Sequence, residues 1–253
     1  MPSTGTMTSS FAGIRALLFD LDGVLTRTAS LHAASWKRLF DEYLSERARR
    51  TGEPFVPFEL ADYRRYVDGK PRYDGVQSFL ASRGISLPWG SPTDPPDRET
   101  IGGLGNRKDR YFEEALRERG VETFPEAVRL LRDARARGLK TAVVSSSKNC
   151  AQILQTAGIL DLFDARVDGT EAERLHLPGK PAPDTFLEAA RRLHVAPDHA
   201  VVFEDAISGV EAGKRGGFRV VGVDESGHAD ALREHGADMV VSHLGQFADL
   251  MPR

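Results

Sequence analysis

Arg15-Ala16-Leu17-Leu18-Phe19-Asp20-Leu21-Asp22-Gly23-Val24 is the stretch from which the fold is read. Its first half is a short apolar run that stops at a carboxylate, the pattern of a β-strand buried on both faces. Three later stretches repeat it. Thr141-Ala142-Val143-Val144 stops at Ser145, Ala200-Val201-Val202-Phe203 stops at Glu204-Asp205, and Arg219-Val220-Val221-Gly222-Val223 stops at Asp224. Between them the apolar residues fall at helical spacing: Ala127, Leu130, Leu131 and Ala134; Ile153, Leu154 and Ala157; Phe186, Leu187, Ala190 and Leu193. Alternating strands and helices predict an α/β fold, a doubly wound, Rossmann-like parallel sheet covered on both faces. In such a sheet ligands bind beyond the carboxyl ends of the strands. Asp20, Ser145, Glu204 and Asp205 fall there.

The alternation is interrupted once, between Asp20 and the strand that begins near Leu139. Within the gap, Trp36, Leu39, Phe40, Tyr43 and Leu44 recur at i, i+3, i+4, i+7 and i+8, one face of a helix. Helical patterns also fit residues 74–83 and 111–119. Residues 87–97 are too rich in proline and glycine for a regular element and are expected as a surface loop. The expected organisation is a disordered tail at 1–12, a core formed by 13–28 and 111–253, and a small helical cap domain at 29–110, inserted after the first strand.

Composition narrows the function classes. The 253 residues are 40% hydrophobic and 28% charged, as in an ordinary globular protein. No apolar run approaches the roughly 18 residues of a membrane span. Lys and Arg number 34 against 37 Asp and Glu, so there is no excess positive charge to meet a nucleic-acid backbone. The single cysteine, Cys150, cannot form an internal disulfide and is read as structural, which points to a reducing cytoplasm. The opening MPSTGTMTSS lacks the basic start and apolar core of a secretion signal.

Asp20-Leu21-Asp22-Gly23 places two carboxylates at i and i+2 beyond a buried strand, before a glycine that permits a sharp turn. Their repulsion is relieved by a divalent cation with oxygen ligands, or used in a phosphate-transfer site where one carboxylate attacks and the other handles a proton. A plain strand-end aspartate capping a loop is the competing reading. With Asp20 to Gly23, Ser145, Lys180 in Gly-Lys-Pro-Ala-Pro-Asp, and Glu204-Asp205, the chain resembles the haloacid dehalogenase superfamily of phosphotransferases, whose four motifs occur here in order over about residues 14–242. That family carries a helical cap between its first and second motifs, where periodicity alone places the insertion.

The resemblance implies Asp20 as the nucleophile that forms an aspartyl phosphate and Asp22 as the general acid and base. Ser145 and Lys180 would hold the transferring phosphate. Mg2+ would lie on Asp20, Asp22 through its backbone carbonyl, Asp205, and Glu204 directly or through water. Phosphoryl transfer needs such positive charge and in-line positioning. Local alternatives remain at this point: Ser145 as a cap for a helix starting near Lys148, Lys180 as a solvated loop charge, and Glu204-Asp205 as a charge pair favoured by a helix N-terminus.

Beyond the four motifs the chain resembles the β-phosphoglucomutase subgroup, through Thr26, Thr28, His32 and Trp36 after the first motif, Arg72 in Val-Asp-Gly-Lys-Pro-Arg, Asn106-Arg107-Lys108, and Ser145-Ser146-Ser147-Lys148-Asn149. By that resemblance His32 assists Asp22, although a helix-surface imidazole is the alternative. Arg72 binds the non-transferring phosphate, and Lys108, with Arg107 as competitor, reaches the substrate. Thr28, Trp36, Ser147, Lys148 and Asn149 join the substrate contacts. The expectation is a monomeric, Mg2+-dependent hexose phosphomutase that interconverts the small sugar phosphates β-glucose 1-phosphate and glucose 6-phosphate. A sugar-phosphate phosphatase is the alternative. A silent sugar-phosphate sensor would be marked by loss of Asp20 or Asp22, and both are present.

Overall fold

The computed structural model describes residues 11, 13–225 and 227–248. They form two compact units, one of the described residues within 11–27 and 122–248 and the other of residues 28–121. The first contains a six-stranded parallel sheet. Its strands are β1 (Ala16–Phe19), β2 (Lys140–Val144), β3 (Ala165–Val167), β4 (Ala200–Glu204), β5 (Arg219–Val223) and β6 (Met239–Val241), in the spatial order β3-β2-β1-β4-β5-β6.

β1 lies between β2 and β4, the point where the strand order reverses. Its residues face alternately, and both faces are apolar. Ala16 and Leu18 join Ala142, Val144, Val202 and Val220 under Phe186, Ala190 and Leu193 of helix Asp184–Leu193 and Val210 of helix Ile207–Arg215. On the opposite face Phe19 stacks on Phe203 at 4.7 Å between ring centroids, and Phe203 meets the edge of Phe247 at 4.9 Å. Each fully buried Leu, Val or Phe among them contributes about 1.5–3 kcal/mol by leaving water. The doubly apolar run is therefore what puts β1 at the centre.

The four strands expected from sequence are β1, β2, β4 and β5. The two edge strands, β3 and β6, complete the sheet. The expected tail lies outside the described residues at 1–10 and 12, but Phe11 is buried, with its ring 5.0 Å from Phe247. Phe11 belongs to the core.

In the second unit, helix Ala29–Thr51 presents Trp36, Leu39, Phe40, Tyr43 and Leu44 to Phe58, Phe79, Leu80, Leu104 and Tyr111, an aromatic core of its own. Helices Arg72–Ser82 and Ile101–Arg119 supply much of the facing surface. The unit runs to 121 rather than to the expected 110, because Ile101–Arg119 is one uninterrupted helix whose Leu104, Tyr111 and Phe112 are all buried in it. The proline-rich stretch before it is a loop, folded around the buried Asp94 carboxylate. Asp94 accepts from the Ser91 N–H at 3.0 Å and the Thr100 hydroxyl at 2.7 Å. Thr100 in turn caps the helix, accepting from the Gly103 N–H at 2.9 Å.

Candidate active site

The register of three strands assembles the site. Phe19 pairs with Val143 on one side and Phe203 on the other, so the next residues, Asp20, Val144 and Glu204, come level at the strand ends. The Asp20 N–H still donates to the Phe203 carbonyl at 2.9 Å, which holds it at the edge of the sheet. Lys180 reaches across this row. Its ammonium bonds the Asp20 carboxylate, lies 2.5 Å from Glu204 Oε1 and donates to the Val144 carbonyl at 3.1 Å.

Lys180 is only 2% exposed and Glu204 is fully buried. Burial works against the charged ammonium, but the Asp20 and Glu204 carboxylates outweigh it and hold Lys180 above the ordinary lysine range. Lys180 is thus a buried, fixed positive charge against the carboxylate expected to attack phosphorus. The solvated-charge alternative is excluded.

Asp20, Glu204 and Asp205 each offer one carboxylate oxygen, and these oxygens lie within 4.8 Å of one another. Two of these carboxyl groups, Asp20 and Glu204, share the single Lys180 ammonium, and burial, aided by the Glu204 and Asp22 carboxylates, pushes Asp20 well above the usual carboxylate range despite Lys180, so the cluster is short of positive charge. A hard, all-oxygen set of this size fits Mg2+, which binds a few carboxylates and keeps several waters. Gly23 is what allows Asp205 to close on the Asp20 loop. Its φ is +86°, and a Cβ there would fall 1.9 Å from Asp205 Oδ2. The glycine of the D-x-D-G sequence therefore meets a backbone requirement and a packing requirement together. Asp22, half-buried one residue earlier, is not in the carboxylate triad.

Ser145 follows β2, with its N–H on the Val167 carbonyl at 3.1 Å. Its hydroxyl oxygen accepts from the Ser147 N–H at 3.1 Å, and that of Ser147 accepts from the Asn149 N–H at 3.1 Å. The next helix starts at Cys150 with Asn149 at its N-cap position, so Ser145 shapes the turn and is not the helix cap. Lys148 is exposed and pairs with Glu173 at 2.7 Å. Burial pushes the Cys150 thiol well above its usual range, in keeping with a structural role.

The other expected residues lie in the helical unit. Lys108 is 3% exposed, with Nζ 2.5 Å from His32 Nδ1 and over the rings of Phe112 at 4.8 Å and Trp36 at 5.2 Å. His32 stacks on Phe112 at 3.9 Å, so it is not a plain surface imidazole. The His32 N–H donates to the carbonyl of the buried Thr28 at 3.0 Å, and Trp36 packs in the unit's core. Arg107 leaves this group, donating from Nε to the Pro96 carbonyl at 2.7 Å. Arg72 forms an ion pair with Asp109. Burial opposes its charge, and Asp109 more than compensates, raising Arg72 above the usual guanidinium range.

Sequence reasoning missed several partners. Asp109 and Glu173 carry no motif. His228 and Asp224 were within reach, because Asp224 ends β5 as Asp20 ends β1 and His228 follows at i+4. Among the described residues no helix is long and apolar enough to cross a membrane.

Comparison with known proteins agrees with this geometry. A family model described as haloacid dehalogenase-like hydrolase matches residues 14–217. A β-phosphoglucomutase of Mycobacterium tuberculosis is 55% identical over 238 residues, 92% of this chain and 91% of the relative. A β-phosphoglucomutase of Bacillus subtilis is 32% identical, with 90% and 89% covered. The crystal structure of β-phosphoglucomutase from Clostridium difficile superposes with a TM-score of 0.72 at 26% identity, covering 92% of each chain. The four ordered motifs, the sheet that brings Asp20, Lys180, Glu204 and Asp205 together, and these relatives lead to one conclusion: the chain belongs to the haloacid dehalogenase-like hydrolase family of phosphotransferases and phosphatases, in its β-phosphoglucomutase-like subgroup.

Proposed function

We propose that the protein is a Mg2+-dependent hexose phosphomutase that interconverts β-glucose 1-phosphate and glucose 6-phosphate through an aspartyl phosphate on Asp20. The observation that carries this reading is the buried Lys180 ammonium bonded to Asp20 beside the Glu204 and Asp205 carboxylates. An aspartate so placed has a fixed charge to steady the phosphoryl group and lies at a strand end, where substrates bind. The mutase assignment within the family is supported by the relatives named β-phosphoglucomutase.

In the proposed cycle the phosphoryl group passes from Asp20 to the 6-hydroxyl of β-glucose 1-phosphate, and Asp22 takes the hydroxyl proton. The resulting bisphosphate turns round. The Asp20 carboxylate then attacks its C1 phosphate, the C1–oxygen leaving group takes the proton back from Asp22, and glucose 6-phosphate departs. Ser145 and Lys180 hold the transferring phosphate. Asp20, Asp205, the Asp22 carbonyl and Glu204 would hold Mg2+, which when bound supplies positive charge to the phosphate oxygens. A second phosphate site is required, and Arg72 is assigned to it. Thr28, His32, Trp36, Lys108, Ser147, Lys148 and Asn149 are assigned to the remaining substrate contacts. The proposed setting is a monomer in the cytoplasm; the single cysteine, buried as a free thiol, fits a reducing compartment.

The test is to incubate the protein with Mg2+, β-glucose 1-phosphate and a trace of the 1,6-bisphosphate and to resolve glucose 6-phosphate from free phosphate. Net formation of glucose 6-phosphate is expected. Release of free phosphate alone, from every hexose phosphate tried, would replace the mutase by a sugar-phosphate phosphatase.

A further inference from the structure

The Asp205–Ala206 peptide is held at both ends. Its N–H, on Ala206, donates to Glu204 Oε2 at 3.2 Å. Its carbonyl, on Asp205, accepts from His228 Nε2 at 2.8 Å. The His228 ring is itself fixed, with Nδ1 3.0 Å from Asp224 Oδ1. The Asp224 carboxylate also accepts the backbone N–H groups of His228 and Ala229, each at 2.9 Å. Asp224 is anchored to the sheet, its own N–H donating to the Val241 carbonyl of β6 at 2.8 Å. A chain of hydrogen bonds thus runs from the β5–β6 end of the sheet, through Asp224 and His228, to the backbone of a carboxylate at the end of β4.

We infer that His228, oriented by Asp224, is a positioning residue for the metal site: it fixes the Asp205 peptide and so sets the direction in which the Asp205 carboxylate presents its oxygen to Mg2+. The inference rests on the proposed Mg2+ role of Asp20, Glu204 and Asp205. Two bonds on one peptide plane leave the Asp205 backbone little freedom to rotate. Gly23 closes the other side, leaving no room for a Cβ beside Asp205 Oδ2. The carboxylate is therefore confined by its own backbone and by its neighbour, which preorganises it before the ion arrives. Partners that orient a metal ligand are typically worth 10- to 100-fold in metal affinity. A histidine whose only task was to cap the helix at Ala229–Glu234 would leave that affinity unchanged.

The test is calorimetric titration of Mg2+ into the purified full chain and into three variants, His228→Ala, His228→Gln and Asp224→Asn, with the thermal midpoint of each metal-free protein measured alongside. His228→Ala should weaken Mg2+ binding roughly 10-fold or more. His228→Gln keeps an N–H donor within reach of the Asp205 carbonyl and should recover most of the loss. Asp224→Asn should fall between them and serves if His228→Ala does not fold. At saturating Mg2+ the KM for sugar phosphate should stay near that of wild type. Folded His228→Ala or Asp224→Asn proteins that bind Mg2+ as tightly as wild type would overturn the inference, as would a His228→Gln protein as weak as His228→Ala. A wild type that binds no Mg2+ would instead overturn the metal reading on which it stands.

Discussion

Lys180 and Glu204 meet in the interior with Nζ 2.5 Å from Oε1, and the same ammonium also bonds Asp20. One cation therefore serves two carboxylates, Glu204 being fully buried and Asp20 nearly so. Breaking a buried ion pair from one side costs about 3–5 kcal/mol, because the remaining charge is left without a partner. Lys180→Met should lose stability of that order in metal-free urea unfolding, and Lys180→Met with Glu204→Gln should recover part of it. A single variant within about 1 kcal/mol of wild type, the range of an exposed pair, would show that the ammonium does not hold the row of strand ends together.

Gly23 offers a sharper test of the metal site. Alanine there must adopt a left-handed backbone at φ +86° and place its Cβ against Asp205. The backbone alone costs about 1–2 kcal/mol. Gly23→Ala should therefore fold with reduced stability and lose most activity, with part of the activity returning as Mg2+ is raised. Equal activity to wild type at limiting Mg2+ would refute the close approach.

Asp22→Asn separates acid catalysis from metal binding. General acid and base catalysis contributes roughly 10²- to 10⁴-fold, and transfer between sugar hydroxyls should slow by that order. An activated aryl phosphate has a leaving group that needs no proton, so its attack on Asp20 should be far less affected. Stopped-flow comparison of the two substrates decides the point, and equal losses would assign Asp22 to structure or metal.

Arg72 is the residue by which the mutase is told from the phosphatase. It is tied to Asp109, and with the two side chains only 18% and 24% exposed the pair is largely buried, so Arg72→Ala should cost stability between the about 1 kcal/mol of an exposed pair and the about 3–5 kcal/mol of a fully buried one. The functional effect should be larger and selective. Without a charge-assisted contact for the second phosphate, the bisphosphate escapes before it turns round. Isomerisation should fall far more than hydrolysis of an activated phosphate, and added glucose 1,6-bisphosphate should partly restore it. Parallel loss of both activities would count against Arg72 as the second phosphate site.

What the sequence determined by itself is whatever local periodicity and local chemistry express. Four doubly apolar runs specify β1, β2, β4 and β5, since a strand covered on both faces has no polar positions to hide it. The amphipathic face from Trp36 to Leu44 specifies the first helix of the insertion, and the ordered residues Asp20, Ser145, Lys180 and Glu204-Asp205 point to the family. β3 and β6 did not show, because each has three residues and only the last of each is buried; they become strands by pairing with β2 and β5. The start of helix Ile101–Arg119 was hidden by Gly102 and Gly103. Glycines lower helix propensity, yet here a Cβ would come within 2.3 Å of the Ser91 carbonyl oxygen or 2.2 Å of that of Arg98. Only the tertiary structure decided that Lys180 is buried between two carboxylates, that Asp109 takes Arg72, and that His228 holds the Asp205 peptide. Each of these is an electrostatic contact between side chains or backbone groups that the chain brings together only on folding, and hydrophobic periodicity, which reads neighbours a few residues apart, carries no signal of which charge will meet which.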